Sequence, residues 1–322
     1  MSRLLAREFV RAGHEVVVVT DTGSGDESDG GATIERKPSA RRLANRVRWC
    51  QVCFHSNISL RTAWPLFFFR RPWVVTTHIW LEGANASEVR NERIKRWALQ
   101  RAENVFISQA MATHVGLQGT FIPNPYDAEV FRLWTGAPRD RQLVFVGRLI
   151  SAKGLDVLLR ALASLAAAGM RPSLSVVGGG PEETSLRALV SELNLTKQVE
   201  FVGPKQGEEL ARLLNRHQVM VVPSRWNEPF GLVALEGIAC GCAVVGSAGG
   251  GLPDAMGPCG LTFPNGSSDA LAQTLGDLLS GNRDRLKELV KPAQSHLAKH
   301  LPETVAGRYL ELFARSAERA SS

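Results

Sequence analysis

Residues 174–181 read Leu174-Ser175-Val176-Val177-Gly178-Gly179-Gly180-Pro181, a short apolar run that stops on three glycines and a proline. A run this short, without polar alternation, marks a strand buried on both faces, and the glycines supply the turn at its end. The pattern repeats outward. Leu143-Val144-Phe145-Val146 stops at Gly147, and Val199-Glu200-Phe201-Val202 stops at Gly203. Val219-Met220-Val221-Val222 stops at Pro223, and Ala243-Val244-Val245 runs into a glycine-rich loop at 246–251. Between these runs the apolar spacing predicts helices over 154–168, from Pro181 to about 193, over 206–215, 231–239 and 268–280. Buried strands alternating with helices mean a parallel sheet covered on both sides.

The first half shows the same alternation less sharply. Leu4, Leu5, Ala6, Phe9 and Val10 lie at helical spacing, Gly13-His14 ends that helix, and Val16–Val19 is a buried strand. Residues 21–31 read as a loop and the surroundings of Ile34 as a short strand. A basic helix follows over 40–49, with Leu43 and Val47 inward. Strands are predicted at Val52-Cys53-Phe54, Trp73–Thr77, Asn104–Ile107 and Thr120–Ile122. Helices are predicted around 60–69 and over 87–101, the latter strongly basic. Pro123-Asn124-Pro125 cannot continue a strand and reads as a hinge. Two doubly wound α/β domains are therefore expected, 1–138 and 139–301. A last helix from Pro302 carries Val305, Tyr309, Leu312 and Phe313 on one face.

A length of 322 residues suits two cores, and 44 % hydrophobic with 21 % charged residues is the balance of a folded globular chain. The net charge of +7 is uneven: residues 1–138 hold 18 Lys and Arg against 13 Asp and Glu, and the remainder 20 against 18. The basic first half suggests an anionic partner, either a lipid surface or a phosphorylated acceptor. Nucleic acid is disfavoured, because no recognition motif accompanies the scattered arginines. No apolar run spans a bilayer, since Trp64–Phe69 is stopped at once by Arg70-Arg71-Pro72. No signal peptide is evident, so a cytoplasmic protein is expected, with contact at the cytoplasmic face of an anionic membrane. Five cysteines at irregular spacing are not a disulfide framework. Cys50-x2-Cys53 is half a zinc site that nothing completes, so all five read as free thiols.

Ligands in doubly wound sheets sit beyond the carboxyl ends of the strands. Gly147 there allows a sharp turn, from which Arg148 and Lys153 would project toward a diphosphate and stabilise charge on its departure. Two surface basics flanking a turn is the plainer alternative. In Glu228-Pro229-Phe230-Gly231-Leu232-Val233-Ala234-Leu235-Glu236, two carboxylates straddle a helix start. The amides near Phe230, Gly231 and Leu232 suit a diphosphate, Glu236 suits ribose hydroxyls, and Glu228 suits sugar hydroxyls. An ordinary helix with an N-terminal acid is the alternative, and Pro229-Phe230-Gly231 is an unusual entry for one. Gly178-Gly179-Gly180 and Gly249-Gly250-Gly251 let backbone approach a ligand or simply turn tightly. His78, at the end of the Thr76-Thr77 strand, is either a substrate contact or a structural histidine.

Taken together, these segments resemble the family-4 retaining glycosyltransferases of the GT-B fold. The resemblance runs from about Gly13 to the end. Pro123-Asn124-Pro125-Tyr126-Asp127 is similar to the family's hinge, with Pro125 where Gly is usual. Val146-Gly147-Arg148-Leu149 with Lys153-Gly154 is similar to its phosphate segment, and Glu228 to Glu236 to its Glu-x7-Glu motif. Ala248–Pro253 resembles the following loop, with Asp254 where Glu is usual, and Thr77-His78 resembles the active-site histidine.

The resemblance implies two Rossmann-like domains facing a central cleft, with 302–322 crossing back onto the first. It implies a UDP-, GDP- or ADP-sugar donor, no metal or other cofactor, and transfer with retained configuration to a glycan, lipid-linked or small-molecule acceptor. Arg148 and Lys153 would hold the diphosphate, with Gly147 and Gly178 beside them. Glu236 would bind ribose, Glu228 the sugar, and His78 would stand beside the reacting centre. The base would lie near Phe201, Gly203 and Lys205. The family opens with a strand and a Gly-rich loop before the helix at which Met1 stands, so that strand's neighbours are expected to lack partners. Two expectations follow: a start upstream of Met1, or a shortened form with poor turnover. A non-catalytic nucleotide-sugar binder, a two-domain solute-binding protein and a nucleotide-sugar epimerase are the competing readings.

Overall fold

The computed structural model describes residues 1–23, 30–81, 86–280 and 283–321, with side chains for all of these but 86–89, 283 and 321. Residues 24–29 of the expected 21–31 loop lie outside the described residues. The chain divides into two compact units, Met1–Pro125 with His300–Ser322, and Tyr126–Lys299. The sequence reading put the division at 138/139. Residues between these positions are tied to the second unit by side chains buried there. Asn215 donates to the Arg132 carbonyl at 3.0 Å and accepts from the Trp134 amide at 2.8 Å. Arg139 donates to the carbonyls of His217 and Cys240 at 2.7 and 2.5 Å.

The first unit contains strands β1 (Val17–Thr20), β2 (Thr33–Arg36), β3 (Cys53–Ser56), β4 (Trp73–Thr77), β5 (Glu103–Phe106) and β6 (Thr120–Phe121). All pairings are parallel, in two sheets, β1-β2 and β3-β4-β5-β6. Among the described residues β1 pairs only with β2 and β3 only with β4, so each keeps an open side. Strand β4 is buried along its whole length. Its side chains alternate between faces, as the pleat requires: Trp73 and Val75 join one apolar cluster, Val74 the other. The second cluster contains Leu5 and Phe9 of the helix Ser2–Arg11. It also takes Val305, Tyr309 and Leu312 of the helix Pro302–Ser321, at intervals of four and three that place them on one stripe. The Tyr309 and Thr76 hydroxyls share a buried hydrogen bond of 2.8 Å, which satisfies both inside this core.

The expected helix around 60–69 is instead one α-turn, Leu60–Ala63, followed by a 3-10 turn, Trp64–Phe67. Pro65 lacks the amide that would continue the α ladder. A helix not anticipated, Gln109–Val115, starts where the Ser108 hydroxyl accepts from the Met111 amide at 3.2 Å. It ends at Gly116, at φ +68°.

The second unit contains β7 (Arg141–Val146), β8 (Leu174–Val177), β9 (Val199–Gly203), β10 (His217–Val222), β11 (Ala243–Ser247) and β12 (Gly260–Phe263). They form one parallel sheet in the order β12-β11-β10-β7-β8-β9. The chain winds outward from β7 to β9, returns to β10 beside β7, and winds outward the other way. That reversal between β7 and β10 is the topological switch point of a doubly wound sheet. The helix Leu155–Ala167 buries Leu155, Leu158, Leu162 and Leu165 between the sheet and the helix Ser268–Ser280. Each unit is thus a Rossmann-like α/β layer structure.

Candidate active site

The loops that leave β7 and β10 are fastened together. Gly154 has φ +67°, and a Cβ there would stand 2.0 Å from the Pro223 carbonyl oxygen, so only glycine fits. The amides of Arg225 and Trp226 donate to the Ala152 carbonyl at 3.0 and 3.3 Å. This closeness brings Lys153 to Glu228, with Nζ 2.6 Å from Oε1, and the Ser224 hydroxyl donates to the same oxygen at 2.7 Å. Asp156 accepts from the Arg225 guanidinium beside them. Arg148 is exposed, and its side chain makes no hydrogen bond or ion pair among the described residues. A fixed carboxylate and a fixed ammonium therefore meet at the switch point, and the loop that carries Lys153 also carries Arg148.

The Glu228–Glu236 segment is held by backbone. The Gly251 amide donates to the Glu228 carbonyl at 2.7 Å, and Gly250 bridges the same residue. Gly231, at φ +106°, caps the helix Leu232–Ala239 and offers no side chain to it. The opening amides, Leu232 and Val233, are thus left for another acceptor, on the positive end of the helix dipole. Phe230 is buried beneath this turn. Glu236 is half-buried, and burial, together with the Asp127 charge, raises its carboxyl to about 7.

The glycines after β8 serve a purpose that the sequence reading did not weigh. A Cβ on Gly178 (φ +139°) would fall 1.9 Å from the Gly147 carbonyl oxygen, and one on Gly180 would fall 2.4 Å from that of Leu149. The Gly178 amide donates to the Gly203 carbonyl at 3.0 Å, and the Leu149 amide to Gly179 at 3.0 Å. They allow neighbouring strand-end loops to lie against one another. Phe201 packs on the core with the Arg187 guanidinium 4.3 Å above its ring, and Lys205 pairs with Glu209 at 3.4 Å.

His78 belongs to the first unit and follows β4. Its amide donates to the Asn57 side chain at 2.7 Å, while its buried Nε2 has no partner, nor does the Thr77 hydroxyl. Burial, and then the charge of the chain's amino terminus, lower its pKa to about 4, so the ring is neutral near pH 7. An unsatisfied buried ring nitrogen costs stability unless something binds it, which favours a ligand contact over a structural role. Sequence reasoning missed Ser224 and Asp127. Ser224 could have been found from its position directly after Pro223 at a strand end, four residues before Glu228. Among the described residues no group of three or more His, Cys, Asp or Glu is placed to hold a metal, and the five cysteines are free thiols.

Residues 134–296, half of the chain, match the family model described as glycosyl transferases group 1. The chain is 39 % identical over 170 residues to the D-inositol 3-phosphate glycosyltransferase of Corynebacterium jeikeium, a match covering 50 % of this chain and 40 % of that protein. It is 35 % identical over 224 residues to the protein of that name in Stackebrandtia nassauensis, covering 62 % and 50 %. The chain thus spans half or less of these relatives' length. Among solved structures, a glycosyltransferase from Rickettsia africae superposes with a TM-score of 0.80 at 16 % identity, covering 97 % of this chain and 93 % of that one. Anabaena Alr3699/HepE in complex with UDP gives 0.79 at 18 %, covering 94 % and 100 %. These likenesses show the fold, the two-unit GT-B class. The matched stretch holds Arg148, Lys153, Ser224, Glu228 and Glu236 together, and the chain belongs to the glycosyl transferases group 1 family.

Proposed function

We propose that the chain is a family-4 retaining glycosyltransferase that moves a hexosyl group from a UDP-sugar to a glycan, lipid-linked or small-molecule acceptor. The observation that carries this reading is the Lys153–Glu228–Ser224 cluster at the switch point, with Arg148 exposed on the loop that carries Lys153. Arg148 and Lys153 take the diphosphate oxygens and stabilise the charge that builds on them as the glycosidic bond breaks. The Leu232 and Val233 amides add donors on the helix axis. Glu228 accepts sugar hydroxyls and Glu236 those of the ribose. The complexes of Anabaena Alr3699/HepE with UDP and with UDP-glucose support uracil as the base.

Titration with UDP-, GDP- and ADP-sugars tests the donor. UDP-glucose is expected to raise the melting temperature by mass action, and Arg148→Ala and Glu236→Ala to abolish the rise. A carboxylate that accepts two hydroxyl protons must be ionised, so donor affinity is expected to increase as pH rises through about 7. Glu236→Gln removes that dependence. The sign for folding is opposite. A carboxyl raised from 4.5 to about 7 contributes stability that is complete below 4.5 and lost as pH rises through 7. Donor affinity that is flat between pH 6 and 8 in the unaltered chain would show that Glu236 does not face the ribose.

His78 is assigned to the reacting centre through its unpaired Nε2. His78→Ala is expected to lower kcat by about a hundredfold with donor Kd unchanged. A fall in donor affinity with kcat intact would remove it from that role. Release of UDP from UDP-glucose in the presence of acceptor tests for turnover.

A further inference from the structure

Asn265 stands just past β12, in a turn closed by the Ser267 amide, which donates to the Pro264 carbonyl at 3.1 Å. Its half-buried side chain reaches the two neighbouring strand-end loops. Oδ1 accepts from the Gly249 amide at 2.8 Å, in the loop after β11. Nδ2 donates to the Arg225 carbonyl at 3.4 Å and to Oδ1 of Asn227 at 3.3 Å, both in the loop after β10. The orientation of the amide is dictated by its partners, since a backbone N–H faces one end and a backbone carbonyl the other. Strands β12, β11 and β10 are consecutive in the sheet, so one side chain joins the carboxyl ends of three adjacent strands. A glycine makes the room for it. A Cβ on Gly249 would stand 2.7 Å from Nδ2 of Asn265 and 2.2 Å from Oδ1 of Asn227, and would push both amides away.

Both loops that Asn265 holds lead to Glu228. Asn227 precedes Glu228 in the chain, and Gly249 precedes Gly250, which bridges to Glu228. Gly251, next along, donates its amide to the Glu228 carbonyl at 2.7 Å. The carboxylate is fixed by Lys153 and Ser224, whereas the backbone that carries it is held from the Asn265 side. From this arrangement we infer that Asn265 is a positioning residue of the donor site, which fixes the backbone from which Glu228 reaches the sugar. The inference rests on the reading of Glu228 as the sugar contact. Two other roles fit less well. A residue that only shapes its own turn would bond within it, yet these partners lie 16, 38 and 40 residues away in the chain. A residue that grips the ligand itself would have donors to spare, yet both Nδ2 protons already have protein acceptors.

The test is titration calorimetry of the full chain with UDP and, separately, with UDP-glucose. A residue that aims the sugar carboxylate acts on the sugar and not on the nucleotide. Asn265→Ala is therefore expected to weaken UDP-glucose about tenfold and to leave UDP within about twofold, the pattern also expected of Glu228→Gln. Asn265→Asp keeps an acceptor for the Gly249 amide and should return UDP-glucose to within about threefold of the parent. Retained UDP binding establishes that each variant folds. Equal weakening of UDP and UDP-glucose by Asn265→Ala assigns the residue to the stability of the unit alone and overturns the inference. Unchanged UDP-glucose affinity in Asn265→Ala, where Glu228→Gln shows its loss, overturns it too and leaves the reading of Glu228 standing. A Glu228→Gln chain that binds UDP-glucose as the parent does overturns that reading, and the inference with it.

Discussion

Lys153→Ala is expected to lower kcat by about 10²–10³-fold, the range for removing one preorganised donor from a developing anion. The ammonium sits 2.6 Å from the Glu228 carboxylate, itself fixed by Ser224, so its position is set before any donor arrives. A group placed in advance spends nothing on reorganisation when charge appears on the leaving diphosphate. The loss should therefore fall on kcat and kcat/KM alike, with KM nearly constant. Folding should be little affected: the Lys153 side chain is about a third exposed, and water screens such a pair. Lys153→Arg, which keeps the charge on a longer planar group, should recover part of the rate. Steady-state kinetics with UDP-glucose decide the matter. Turnover within threefold of the parent would mean that the diphosphate does not use this cation.

The second large effect is expected in stability. Gly178→Ala asks an L residue to hold φ +139° and places a methyl 1.9 Å from the Gly147 carbonyl oxygen. Strain at such a backbone costs about 1–3 kcal/mol, and forcing an atom into packed surroundings about as much again. At roughly 2–4 °C per kcal/mol for a unit of this size, the second unit should melt on the order of 10 °C lower. Gly179→Ala is the control, since a Cβ there meets nothing within 4 Å and its φ is not positive. That substitution should stay within about 0.5 kcal/mol of the parent. Scanning calorimetry of the two variants checks the pair. Equal melting temperatures would show that the loops after β7 and β8 are not held in contact.

Much of the second unit was legible because its strands are apolar and its punctuation is strict: β8 and the helix Ser268–Ser280 have the bounds read from the sequence. β12 is not legible because Gly260-Leu261-Thr262-Phe263 interrupts its apolar residues with Gly and Thr and follows Gly257-Pro258, which reads as irregular chain. In the first unit, Trp73–Thr77 was legible for the same reason as β8. The helix Gln109–Val115 has ordinary start and stop signals in Ser108 and Gly116, but its seven residues are too few for an apolar stripe to repeat. In the site, motif spacing pointed to Lys153, Glu228 and Glu236. It did not single out Ser224, and it could not show that Lys153 reaches Glu228, a contact that depends on β10 lying beside β7, a long-range pairing. Nor could it show that Gly178 is required by a carbonyl of the adjacent loop, because that demand exists only once two distant segments touch.

The open sides of β1 and β3 bear on how the molecule fares in a concentrated solution. Backbone amides and carbonyls along Val17–Val19 and Cys53–Ser56 that lack a ladder partner can template a strand from another polypeptide. With Val16, the first of these is a run of four valines, uncharged and free of proline, a composition suited to intermolecular zippering. Clumping on storage or heating should accordingly begin in the first unit, from Val16–Val19, while the six-stranded sheet of the second unit is still intact.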